Sequence, residues 1–254
     1  MDFGTLATIS GLRRYVVQNA PFAVRSPLGP GFNRRVGWYL DGSVDLRNPR
    51  TVVYIVPASG RYHVLAPAHE LSPTRFFPRD VKNRPFHHPT SMNAREARLL
   101  VNVSGVLPGE VLLDPFAGAG GILLEAAAVG AHAIGVDAVE EMVSGARENL
   151  EHYGLFADVL HGDARDLPLE DSSVDAIVTD LPYGRSSKVV GRLRELYLSS
   201  FREMYRVLKR GRRAVVVCDK DISGPLSAAG FKLIRSFKWY VHSSLTRRVF
   251  VCQK

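Results

Sequence analysis

The stretch Val111-Leu-Leu-Asp-Pro-Phe-Ala-Gly-Ala-Gly-Gly121 decides how the rest of this 254-residue chain is read. An apolar run ends in an acid, Asp114, and glycines follow at 118, 120 and 121. Glycine lacks a Cβ, so such a loop turns tightly and lets a ligand approach the backbone. Residues 121–129 then read as a helix whose apolar face carries Ile122, Leu123, Ala126 and Ala127. The same alternation continues downstream. Residues 133–137 are a second strand ending in an acid, 139–153 a helix stopped at Gly154, 157–160 a third strand and 174–179 a fourth. A helix over 192–209 spaces Leu193, Leu196, Phe201, Met204 and Leu208 for one buried side. Residues 213–218 form a fifth strand, apolar enough to be buried on both faces, and 222–229 a short helix.

Strand and helix in turn imply an α/β fold with a doubly wound, mostly parallel sheet. Two last strands, 232–241 and 247–252, are joined by too few residues for a crossover helix, so the seven-stranded sheet ends in an antiparallel hairpin. Sheets of this kind bind ligands beyond the carboxyl ends of their strands, near the switch point. Three acids stand there. Asp114 opens the glycine loop, Asp137 follows 23 residues later, and Asp163 lies in His161-Gly-Asp-Ala-Arg165. Asp137 is placed to accept both hydroxyls of a ribose, and Asp163 to meet an adenine edge. One such acid alone reads equally well as a helix cap, but three at successive strand ends read as a nucleoside site. The loop lacks G-x-G-x-x-G spacing, and no hydride-transfer site is evident, which disfavours a nicotinamide oxidoreductase.

Thr179-Asp180-Leu181-Pro182-Tyr183-Gly184 follows the fourth strand. An acid, a backbone carbonyl and an aromatic ring suit chemistry at an amine conjugated to a ring. Its lone pair is delocalised, and acceptors for its two N–H bonds return density to nitrogen. Asp180 is the first acceptor, the Leu181 carbonyl the second, and Tyr183 offers a face on which an extruded base stacks.

In order of elements, the chain from Val106 onward resembles the class I S-adenosylmethionine-dependent methyltransferases, a Rossmann-like fold. Asp180-Leu-Pro-Tyr183 resembles the [DN]-P-P-[YFW] motif of members that modify exocyclic amines, with Leu181 where the first proline usually stands. The backbone carbonyl survives that change; the rigidity of two prolines does not. The resemblance implies S-adenosyl-L-methionine as cofactor. Its methionine part would lie near Asp114, Phe116, Gly118, Gly120 and Gly121, its ribose at Asp137 and its adenine at Asp163 and Ala164. Met142 would pack on the adenine or in the core. Asp180, Leu181, Pro182 and Tyr183 would be catalytic, with Asp180 also facing the cofactor. No metal site is expected.

Arg84-Pro-Phe-His-His-Pro-Thr-Ser-Met-Asn-Ala-Arg-Glu-Ala-Arg-Leu-Leu-Val-Asn102 precedes the first strand and ends in a helix over 93–103. With Asp114 to Ala126, Asp180 to Ser187 and His242-Ser-Ser-Leu-Thr-Arg-Arg248, it is similar to the archaeal and eukaryotic tRNA guanine-N2 methyltransferases that carry a THUMP domain. That family modifies guanosine-10 of tRNA. The likeness implies Arg84, Phe86, His88, Tyr183, Arg185 and Ser244 as substrate contacts, and a small protein partner as in eukaryotic relatives. Phe22-Ala-Val-Arg25, Val44-Asp-Leu-Arg-Asn-Pro49 and a strand over 52–56 resemble the later part of a THUMP domain. Residues 1–83 are therefore expected to be a small basic α+β module, partial and THUMP-like, with a linker; residues 84–254 are the methyltransferase domain. Other guanosines in tRNA or ribosomal RNA, a DNA adenine, or a non-catalytic RNA-binding role remain as alternatives.

Charge agrees with a polyanionic partner. The first 105 residues hold 14 Lys and Arg against 6 Asp and Glu, whereas the remainder holds 19 of each. The whole excess of +8 thus falls in the first two-fifths, where Arg34 and Arg35, with Arg13, Arg14 and Arg79, are candidates for phosphate contact. Hydrophobic residues at 46% and charged residues at 23% suit an ordinary globular chain. No apolar run nears the roughly 18 residues of a membrane span, and no leader is visible, so a cytoplasmic location away from membranes is expected. Cys218 and Cys252 sit in apolar strand-like runs and read as buried thiols.

Overall fold

The computed structural model describes residues 9–58, 60–65, 73–88, 91–183, 190–242 and 245–254. By internal contacts the chain divides into Met1–Ser72 and Pro73–Lys254.

The first unit contains α1 (Ile9–Gln18), β1 (Phe22–Arg25), α2 (Pro30–Tyr39), β2 (Thr51–Ala58) and β3 (Arg61–Leu65). β2 is central, parallel to β1 and antiparallel to β3. Its core is small: Leu12, Val16, Phe22, Val24, Leu40, Val53 and Ile55. Sequence reasoning placed neither helix. In the Pro/Gly-rich stretch Ser26-Pro-Leu-Gly-Pro-Gly31, Pro30 is the first residue of α2, where a missing N–H costs nothing. Helix α2 has no fully buried residue, which is why no strong apolar period announced it.

The second unit begins with two 3₁₀ turns, Pro73–Arg79 and Val81–Asn83. The sequence had grouped this stretch with the N-terminal module as a linker; its contacts lie with the second unit. Then come α3 (Ala94–Ser104), β4 (Val111–Asp114), α4 (Gly121–Ala127), β5 (His132–Asp137), α5 (Glu140–His152), β6 (Ala157–His161), β7 (Val174–Asp180), α6 (Val190–Val207), β8 (Leu208–Cys218), α7 (Ser223–Ala228), β9 (Lys232–His242) and β10 (Leu245–Gln253). The sheet runs β6-β5-β4-β7-β8-β10-β9, parallel except for β10, which pairs antiparallel with both neighbours. This is the expected doubly wound α/β sheet with its terminal hairpin.

Alternate side chains of each inner strand feed two cores, because successive residues point to opposite faces. Leu112, Ala176, Val178, Val215 and Val217 join Leu100, Leu123, Val143 and Leu150 from α3, α4 and α5. Leu113, Ile177, Ala214, Val216 and Cys218 join Phe201, Met204 and Leu226 from α6 and α7. Strand β8 starts five residues earlier than the sequence suggested. Leu208 pairs with Val174, and the ladder then jumps to Arg213 opposite Ala176. The intervening charges hid it: Lys209 and Arg212 reach Asp175 at 2.8 and 3.1 Å. The outermost strand, β9, is exposed along most of its length. No described helix is long and apolar enough to cross a membrane.

Candidate active site

The order of strands reverses between β4 and β7, so Asp114 and Asp180 end neighbouring parallel strands at the switch point. A cavity of about 1200 Å³ opens there, within the second unit. Pockets for one small ligand run to roughly 300–1,000 Å³, so there is room for a nucleoside cofactor and an extruded base together.

The glycine loop forms one wall. Asp114 is fully buried, accepts the Phe116 amide at 3.2 Å, and is pushed by burial up to about 7. Phe116, Gly118 and Gly121 line the cavity. Gly120 does not; it starts α4 in the left-handed region at φ 76°, and a Cβ there would lie 3.0 Å from that of Ala146. Asp137 accepts Gly118 N–H at 2.8 Å and Val139 N–H at 3.0 Å, one on each carboxylate oxygen. Each oxygen keeps a lone pair, enough for two ribose hydroxyls. Met142 lines the cavity beside it. Asp163 and Ala164 line the far end, but the Asp163 carboxylate is gripped by Arg165, whose Nη2 lies at 2.6 Å and whose hydrogen bonds hold the acid below its usual range. An adenine amino group would compete with Arg165 for it.

Asp180, Leu181, Pro182 and Tyr183 line the opposite wall. Burial pushes the Asp180 carboxyl up to about 6, against the pull of Arg247. The Tyr183 hydroxyl donates to Asp180, and burial beside that carboxylate raises the phenol well above its usual value. Tyr183, expected to offer a stacking face, therefore also occupies the acceptor oxygen. Leu181 accounts for its own presence where a proline is usual. Its amide donates to Val217 O at 3.0 Å, a bond proline cannot make, and its side chain is 2% exposed within the core that contains Tyr197 and Phe201. The Tyr197 hydroxyl donates to Pro182 O at 2.6 Å, so the loop is anchored without a second proline.

The segment before α3 divides in two. His88 lines the cavity. Arg84 and Phe86, expected to meet the substrate, do not line it, because both are committed within the protein. The Arg84 guanidinium is buried and donates to Arg79 O at 2.9 Å and Met92 O at 3.0 Å. Phe86 is clasped by Asn149, which accepts its N–H at 3.0 Å and donates to its carbonyl at 2.8 Å. Its ring fills the space over Gly145, where a Cβ would come within 2.1 Å. Arg79, a candidate phosphate contact, instead joins Arg98 on the buried carboxylate of Glu125, each at 2.7 Å. Arg34 and Arg35 are exposed on α2 in the first unit. Arg185 and Ser244 lie outside the described residues.

Sequence reasoning missed Arg247 as a site residue, although it sits in the quoted segment His242 to Arg248. It lines the cavity with its Nη2 3.5 Å from Asp180 Oδ2. Tyr197 and Asn149 carried no local signal.

The RMKL-like methyltransferase domain matches residues 82–247. A tRNA (guanine(10)-N2)-dimethyltransferase of Methanothermobacter thermautotrophicus is 37% identical over 83% of this chain and 63% of its own length. That of Pyrococcus abyssi is 35% identical over 83% of this chain and 64% of its own. The chain thus spans less than two-thirds of either relative. The crystal structure of TrmN from Thermus thermophilus superposes with a TM-score of 0.59 at 28% identity, covering 92% of this chain and 72% of that one. The family match spans both walls of the cavity, and the chain belongs to the RMKL-like methyltransferase domain family.

Proposed function

We propose that this chain methylates the exocyclic 2-amino group of a guanosine in RNA, guanosine-10 of tRNA in the first instance. One observation carries the reading: a half-buried carboxylate, Asp180, opens onto the same cavity as the glycine loop and Asp137. Both relatives described above are named for that guanosine.

The residues present fit S-adenosylmethionine. Asp137 keeps acceptors for a ribose, Gly118 leaves nothing within 4 Å of a would-be Cβ, and buried Asp114 offers a negative partner to a cation. When bound, the cofactor supplies an electrophilic methyl. Asp180 accepts one N–H of the guanine amine in place of the Tyr183 hydroxyl, and the Leu181 carbonyl accepts the other. Asp180, poised at about 6, then takes the proton released as the nitrogen becomes four-bonded. Freed from Asp180, the Tyr183 ring stacks on the base. The basic surface of the first unit, with Arg34 and Arg35, holds phosphates.

The test is transfer of labelled methyl from S-adenosylmethionine to unmodified tRNA transcripts, with the nucleosides identified by mass spectrometry. N2-methylguanosine that vanishes when guanosine-10 is replaced supports the reading to its site; methyl on adenine or on another guanosine redirects it. Asp180→Asn should lose about 10²–10⁴-fold in rate with cofactor affinity retained. Unchanged transfer would remove Asp180 from the mechanism.

A further inference from the structure

Arg247 lies on β10, two strands from β7, yet its guanidinium spans the gap between two acids. Nη1 is 3.4 Å from Oε2 of Glu96 in the first turn of α3, and Nη2 is 3.5 Å from Oδ2 of Asp180. The Arg247 side chain is 9% exposed, and its Nε–H has no acceptor among the described residues. The buried and half-buried arginines of the second unit that serve the fold either donate to backbone carbonyls, as Arg84 does, or share a carboxylate that does not line the cavity, as Arg79 and Arg98 share Glu125. Arg247 differs in that it lines the cavity itself and one of its two carboxylates, Asp180, lines it too.

We propose that Arg247, held between Glu96 and Asp180, is the positioning residue that keeps the Asp180 carboxylate ionised and aimed at the incoming amine. This rests on the reading of Asp180 as that acceptor. The groups facing Asp180 are Arg247 from β10, Glu96 from α3, Asp219 just after β8, Asp114 at the end of β4 and Tyr183 on its own loop. Burial and the acids all favour a protonated Asp180, which could no longer accept an N–H through that oxygen. Arg247 is the cation opposing them. Its ion pair holds Oδ2, while Tyr183 holds Oδ1 until the amine arrives. Glu96 plays the contrary part. It draws the guanidinium toward α3 and adds negative charge, so the pair Glu96 and Arg247 sets how acidic Asp180 is.

Two substitutions should therefore move one titration in opposite directions. The probe is the carboxyl resonance of Asp180 in the full chain labelled with ¹³C-carboxyl aspartate, assigned by its loss in Asp180→Asn. Arg247→Met should raise its midpoint by about 1–3 pH units, with Arg247→Lys moving it less. Glu96→Gln should lower it. The acid limb of RNA methylation should follow each shift, leaving Arg247→Met roughly 2- to 100-fold slower at pH 7, with cofactor affinity retained. An unmoved titration in Arg247→Met, or a shift of the same sign in Glu96→Gln, overturns the proposal, and Glu96→Gln alone decides it if Arg247→Met fails to fold. The titration needs no RNA. Absence of methyl transfer by the unaltered protein would thus count against the proposed function while the resonance still decides what Arg247 does.

Discussion

In the second unit Phe201 and Phe250 are fully enclosed and two cores flank the sheet, whereas in the first unit Trp38, Tyr39 and Tyr62 are 80%, 60% and 63% exposed and seven residues make the core. The contrast extends to charge. Glu125 and Asp114 are buried acids in the second unit and Asp180 is half-buried, while Arg34 and Arg35 of the first stand in solvent. A unit that encloses charge makes its chemistry and its stability interdependent. A unit that leaves charge outside can change contacts with little effect on folding. Substitution tests this division directly.

The largest effect is expected at Glu125, fully buried between Arg79 and Arg98. Glu125→Ala leaves both guanidiniums without their carboxylate and should cost about 3–5 kcal/mol, read from denaturant unfolding. A loss below about 1 kcal/mol would show that water or rearrangement replaces the carboxylate, and the division between the units would blur.

Asp114→Asn comes next, and its sign depends on pH. Burial raises this carboxyl to about 7, so the folded state holds a proton that the unfolded chain releases near pH 4. Its contribution to stability is complete below about pH 4 and is lost as pH rises through 7. Without cofactor, Asp114→Asn should be more stable than the unaltered protein at pH 8, by on the order of 2–4 kcal/mol, and similar at pH 4. Binding of the cationic cofactor should weaken in the same variant. Equal thermal midpoints at both pH values would mean that the acid is ionised at no cost.

The smallest effect on folding belongs to the paired change Arg34→Ala and Arg35→Ala, expected to stay within about 0.5 kcal/mol of the original. Its mark should appear in RNA binding instead, where the slope of log affinity against log salt falls by up to about 2. A slope left as it was would take the basic face of α2 out of the RNA footprint.

Much of the second unit was legible because its signals are local. A strand, an acid and glycines occupy eleven consecutive residues from Val111 to Gly121, and Asp180 follows its strand directly. What stayed hidden depends on chain segments far apart. Arg247 meets Glu96 across 151 positions, Phe86 meets Asn149 across 63, and Arg79 meets Glu125 across 46. No spacing rule reaches that far. Arg84 and Phe86 are expected as substrate contacts by family likeness alone, and the structure instead has them pin their segment against α4 and α5. In the first unit the failure was different: α2 buries so little that it has no period to read.

Strand β9 has a consequence for the protein in concentrated solution. An eleven-residue strand at the margin of a sheet, with Leu233, Ile234, Phe237 and Tyr240 in solvent, is a template on which another copy could build. Lys232, Arg235 and Lys238 recur along it at every third position. Two copies meeting edge to edge would crowd six cations together with no acid of β9 to relieve them. The positive spacing that would suit the proposed RNA substrate would thus also oppose growth of the sheet from one copy into the next.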